Sequence, residues 1–113
     1  MPLYMLLLHG DPKVWNSLSP EEMQKATERY MAWVKKPFTK DAKRLGDDPG
    51  KVIRKPKGSQ PHTTDGPYSE TKEVLGGYYT IEAASYDEAV NLALEHPQLD
   101  YGGAVEVRHV YGT

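Results

Sequence analysis

The first seven positions after Met1-Pro2, Leu3-Tyr4-Met5-Leu6-Leu7-Leu8-His9, are apolar almost throughout and are closed by Gly10-Asp11-Pro12. An apolar run of this length without a polar helical face predicts a strand buried on both sides. Leu18-Ser19-Pro20-Glu21-Glu22-Met23 follows as a helix entry. Ser19 is the N-cap, Pro20 takes the first helical position, and Glu22 closes a capping box back onto the Ser19 amide. Leu18 and Met23 stand at the two positions of a hydrophobic staple. Met23, Ala26, Tyr30 and Val34, flanked by Thr27 and Met31, then form an apolar face at helical spacing. Pro37 stops the helix, because the residue before a proline is pushed out of helical geometry.

The pattern recurs in the second half. Ser85-Tyr86-Asp87-Glu88 reads as another capping box, Tyr86, Ala89, Val90 and Ala93 make the apolar stripe, and His96-Pro97 ends it. Two stretches rich in aromatic and β-branched residues flank this helix: Gly77 to Ala83 before it and Ala104 to Tyr111 after it. Residues 38–64 are polar and broken by Gly46, Pro49, Gly50, Pro56, Gly58 and Pro61; within them Lys51-Val52-Ile53-Arg54 is the best strand candidate, at a sheet edge.

The order β-α-β-β-α-β, joined by right-handed crossovers, folds into one antiparallel sheet with both helices on one face, an α+β class. Its strand order is 4-1-3-2, with the first strand inside the sheet. That strand is apolar on both sides, so the face without helices needs a cover. A second copy of the chain is the simplest one, which predicts a homodimer.

Composition narrows the function classes. The chain has 113 residues, enough for a single domain spanning 1–113 with one core. Fourteen Lys+Arg against 16 Asp+Glu give a net charge of −2, which argues against direct nucleic-acid binding through a basic face. The absence of cysteine excludes a disulfide framework, a Cys-ligated zinc site and a thiol nucleophile. Met5-Leu6-Leu7-Leu8 is far short of the ~20 residues that span a bilayer, so the expectation is a cytoplasmic protein with no membrane partner.

The stretch Thr64-Asp65-Gly66-Pro67-Tyr68-Ser69-Glu70-Thr71-Lys72-Glu73-Val74-Leu75-Gly76-Gly77-Tyr78-Tyr79 closely resembles the signature of the YCII-related family, in its DGPF branch, with Tyr68 where Phe is usual. Tyr4 to Asp11, Ser19 to Met23 and Gly102 to Arg108 also look like the family's first strand, first helix and last strand, so the resemblance covers nearly the whole chain. It implies a ferredoxin-like fold that dimerises as an α+β barrel. It implies no single reaction: one branch of the family holds halide-eliminating enzymes of aromatic-ring degradation with a His-Asp pair. Their His lies at the start of the first helix, where Ser19 to Tyr30 contains none. Family members are also often encoded beside extracytoplasmic-function sigma factors, so the resemblance implies a sigma-factor association as a partner expectation. Members usually carry an extra hairpin ahead of the signature; only Lys51 to His62 fill that span here, so a trimmed sheet edge is expected.

The sheet order brings the end of the first strand, His9, beside the Gly76-Gly77 entry of the third, which the Asp65 loop feeds. His9 and Asp65 are therefore the candidate catalytic pair, an imidazole oriented by a carboxylate near neutral pH. The alternative is that His9 merely ends its strand and Asp65 starts the Asp-Gly-Pro turn. Tyr68, Glu70, Lys72 and Glu73 are candidate substrate contacts, Lys72 for an anionic group and a carboxylate for a proton; alternatively they brace the loop. A small-molecule lyase or isomerase and a non-catalytic dimeric binding or accessory protein are the two functional readings. Gly76-Gly77 suit close strand approach rather than phosphate binding. His62, His96 and His109 do not form a metal-ligand spacing with His9, so no metal or cofactor is expected. His96, at a helix C-terminus, is placed where its cationic form suits the dipole. Glu106 and Arg108 share one sheet face as a cavity lining or a salt bridge.

Overall fold

A computed structural model describes residues 1–66 and 73–113. Its elements are β1 (Leu3–Gly10), α1 (Pro12–Asn16), α2 (Pro20–Val34), β2 (Thr39–Arg44), β3 (Lys51–Arg54), β4 (His62–Asp65), β5 (Val74–Glu82), α3 (Tyr86–Ala93), a 3-10 turn (Pro97–Tyr101) and β6 (Ala104–His109). Four strands form an antiparallel sheet in the order β2-β5-β1-β6. Counted along the chain, these strands run 4-1-3-2, the ferredoxin-like order.

Alternation along β1 divides the sheet into two faces. Tyr4, Leu6 and Leu8 are buried against the helices, together with Tyr79, Ile81 and Ala83 of the β5 segment. Leu3, Met5 and Leu7 point the other way and are half-buried. Register carries Tyr78 of β5 and Glu106 of β6 to that same open face opposite Leu7, with Arg108 opposite Met5. From α2, Ala26 and Trp33 are buried and Tyr30 and Val34 pack beside them, whereas Met31 is exposed. The inward stripe is thus turned slightly from the expected one, toward the largest ring available.

The helix entries follow their capping chemistry. Ser19 Oγ accepts from the Glu22 amide at 3.2 Å and Glu22 Oε1 from the Ser19 amide at 3.0 Å, a complete capping box. At α3, Ser85 Oγ caps the Glu88 amide at 3.2 Å, but the Glu88 carboxylate reaches one residue further back, to the Ala84 amide.

Three expectations are corrected. The second sheet strand is Thr39–Arg44, not Lys51–Arg54. As an edge strand it turns only Ala42 into the hydrophobic cluster, so its sequence reads as polar. Lys51–Arg54 instead pairs with His62–Asp65 in a two-stranded ribbon separate from the main sheet, so the span ahead of the signature forms a hairpin of its own rather than a sheet edge. Third, Gly10-Asp11-Pro12 ends β1 and also opens α1, with Asp11 capping the Lys13 amide at 2.9 Å and Pro12 at the first helical position.

Candidate functional site

Between the sheet and α2, closed at one end by α1 and the 3-10 turn, lies a cavity of about 290 Å³. Its walls are aromatic: Trp15 meets Tyr30 and Tyr101 edge-on at 5.6 and 5.9 Å between ring centres, and Tyr30 stacks on Tyr101 at 6.3 Å. Tyr79 of β5 also lines it. Such mutual edge-to-face packing lets the π-faces and edges of the rings satisfy one another. Burial raises the Tyr30 hydroxyl well above the usual phenol range and pushes Tyr79 up to about 12, so both stay neutral phenols at physiological pH. At the rim the Arg44 guanidinium sits over the Trp15 ring at 5.6 Å and bonds Asp47 at 3.4 Å.

Gln98, in the 3-10 turn, ties this wall to the end of β1. Its side-chain oxygen accepts from the Tyr30 hydroxyl, and its Nε2 donates to the His9 carbonyl at 2.9 Å. Its own amide donates to His96 Nδ1 at 3.0 Å. The approach of Gln98 to β1 depends on glycine: a Cβ at Gly103 would stand 2.7 Å from the His9 carbonyl oxygen. Gly77 acts similarly between β2 and β5, where a Cβ would come within 2.8 Å of the Lys43 carbonyl, the close strand approach expected of that pair.

His96 departs from its expected role. It is 1 % exposed, packed against Trp33 and Tyr79 at 4.7 Å and Tyr30 at 5.5 Å. Burial, helped by nearby Arg29, depresses its pKa to about 4, so it is a neutral ring rather than a dipole-stabilised cation. Because Nδ1 accepts a hydrogen bond, the ring proton belongs on Nε2, which has no hydrogen-bond partner among the described residues and is enclosed by the rings. The physical reason is position: His96 follows α3 but caps the next turn, with buried Pro97 behind it.

The residues singled out by sequence fall in three places. The His9 side chain stands on the open face of the sheet, where Nε2 lies 3.0 Å from Glu106 Oε1. Arg108 donates to the other Glu106 oxygen at 3.1 Å, giving the same-face salt bridge. Hydrogen bonds from His9 and then Arg108 hold the Glu106 carboxyl below its usual value. Asp65 is at the end of the β3–β4 ribbon, ion-paired with Lys51, so the structure joins His9 to Glu106 and Asp65 to Lys51. Glu73 is exposed just ahead of β5; Tyr68, Glu70 and Lys72 lie outside the described residues. His62 is opposite Arg54 in the ribbon, and His109 is at the far end of β6 from His9. Among the described residues, no group of three or more His, Asp or Glu is arranged to hold a metal ion.

Sequence reasoning takes Trp15 for a core or interface residue and misses Arg44 and Gln98. Trp15 carried a signal, because Asp11-Pro12 is an N-cap followed by a first-turn proline. Arg44 and Gln98 carried none, because each is polar in a segment that reads as loop.

The model of the YCII-related domain matches residues 2–112. A protein of Rhizobium meliloti (strain 1021), described as uncharacterised, is 30% identical over 112 residues, covering 94% of this chain and 90% of that protein. Among the described residues no helix is long and apolar enough to cross a membrane. With its ferredoxin-like sheet and a domain match over almost its full length, the chain belongs to the YCII-related family.

Proposed function

We propose that the chain is a small-molecule-binding protein whose ligand occupies the cavity between α2 and the sheet. The observation that carries this reading is the 290 Å³ space walled by Trp15, Tyr30, Tyr79 and Tyr101, a largely apolar pocket with a few polar groups at its rim. A test is a fragment screen followed by amide and indole NMR shifts on the wild-type chain and on Thr27→Trp. Thr27 is an exposed α2 residue that borders the cavity, so an indole there fills the space without touching the core. Hits should move the Trp15 indole resonance in the wild type and lose that effect in the variant. Hits that bind both proteins equally would refute the reading.

A second reading, proton transfer in a lyase or isomerase step, is favoured by the His9–Glu106 contact at 3.0 Å. An imidazole with one nitrogen held by a carboxylate is the arrangement of a general acid–base group. In this reading Glu106 takes the orienting role expected of Asp65, and Asp65 joins only by giving up Lys51. The pair lies on the open face, so it becomes a sheltered site when a second copy covers Leu3, Met5, Leu7 and Tyr78. Light scattering on the purified chain tests that homodimer, and a monomer at all concentrations would remove the shelter. A cytoplasmic location and a sigma-factor partner rest on the sequence and the family resemblance; co-purification tests the latter.

A further inference from the structure

We infer that the cavity selects a small, flat, apolar acid, with Arg44 as the residue that recognises its carboxylate. The inference rests on the cavity reading above and adds the charge of the ligand. Arg44 is unusual for its position. Register places it on the helix-facing side of the sheet, opposite Gly77, which in turn pairs with buried Leu8. The other β2 residues on that side are Ala42, in the hydrophobic cluster, and Thr39, whose hydroxyl donates to the Trp33 carbonyl at 3.0 Å. Apolar packing alone does not call for a cation there, and the guanidinium reaches over the Trp15 ring at 5.6 Å.

The hydrogen-bond inventory of the walls points to an acceptor. The Tyr30 hydroxyl proton is committed to Gln98, and both ends of the Gln98 amide are engaged. The Tyr101 oxygen accepts from Arg29 at 3.4 Å. One oxygen of Asp11 accepts from the Lys13 amide as the cap of α1. Asp47 takes one Arg44 donor at 3.4 Å, and both side chains are more than half exposed, so this pair is weakly held. A guanidinium offers five N–H donors in a fixed fork, so most of those of Arg44 are uncommitted among the described residues. Lys43, opposite Tyr78, turns its ammonium to the open face, where Asp41 lies 3.8 Å away, so it is not a donor into the cavity. Arg44 is therefore the lining cation on the helix-facing side with N–H donors to spare. A planar carboxylate matches the fork bidentately, and its apolar body is matched by the faces and edges of Trp15, Tyr30 and Tyr101. The volume limits that body to about one ring, since drug-sized ligands take cavities of roughly 300–1,000 Å³.

The probes are benzoate, benzamide and benzylamine, which share a ring and differ in charge. Each is titrated into the full chain while the Trp15 indole N–H is followed by NMR. Benzoate should bind roughly tenfold more tightly than benzamide, the difference expected of one charge-assisted contact at a half-open rim, and benzylamine most weakly. In Arg44→Gln, the benzoate-to-benzamide affinity ratio, measured within the variant, should fall to about twofold or less; Arg44→Lys should keep part of the preference because the charge stays and the fork is lost. Benzamide binding as tightly as benzoate, or a preference that survives Arg44→Gln, would overturn the anion inference and leave the cavity reading standing. Failure of all three probes to move the Trp15 resonance would overturn both.

Discussion

Acidification from pH 7 to pH 4.5 should weaken this fold mainly through one side chain, His96. In the folded chain the ring is sealed among Tyr30, Trp33 and Tyr79 and takes up a proton only near pH 4. In the unfolded chain it does so at the ordinary value of 6.5. The unfolded state therefore binds more protons throughout the window from about 6.5 to about 4, and stability must fall as pH falls through it. At about 1.4 kcal/mol per pH unit, the loss by pH 4.5 is about 2–3 kcal/mol, a large share of the 5–15 kcal/mol typical of a domain. The carboxyl groups of Glu22, Glu82 and Glu106, all held low by hydrogen bonds, add their own losses only as pH drops below their usual 4.5. The upper part of the window thus belongs to the histidine. Urea unfolding at several pH values between 7 and 4.5 measures the slope directly. His96→Asn provides the control, because its side-chain oxygen can still cap the Gln98 amide but does not titrate. This variant should be less stable at pH 7, where the missing ring leaves a void, and nearly flat in pH. A variant that loses as much stability as the wild type between pH 6.5 and 4.5 would refute the assignment.

Three further outcomes are expected. Gly103→Ala forces a methyl to within 2.7 Å of the His9 carbonyl oxygen and into the Gln98 side chain, and should lower stability by about 1–3 kcal/mol in a thermal melt. Leu6→Ala, at a fully buried position in the central strand, should cost about 2–5 kcal/mol by urea titration. His9→Asn should raise the Glu106 carboxyl pKa toward its usual value, read by carbon NMR of the carboxyl group, because His9 is the main cause of its lowering.

The candidate site was legible in part, and the division has a physical basis. Close approach at Gly77 and the Glu106–Arg108 pair follow from strand register, which alternation largely determines. The partner of His9 does not. Both Asp65 and Glu106 are compatible with the strand order; the choice depends on which carboxylate shares its sheet face, and β6 brings Glu106 opposite Leu7. His96 shows the same limit from another direction. A histidine at a helix end reads as a cation on the dipole until the packing of Tyr30, Trp33 and Tyr79 around it is known.

By itself the sequence determined the order of the principal elements, the antiparallel sheet and its strand order, and the helix starts at Ser19 and Ser85. These rest on local chemistry: caps, prolines and periodicity act within a few residues of one another. Tertiary structure alone decided that Thr39–Arg44 is the edge strand and Lys51–Arg54 part of a separate ribbon. An edge strand needs little apolar character of its own, because its backbone bonds to β5 and a single residue, Ala42, joining the hydrophobic cluster hold it in place. Tertiary structure also assembled the cavity. Trp15, Tyr30, Arg44 and Gln98 come from four different elements and meet only when α1, α2, β2 and the turn after α3 close over the same end of the sheet.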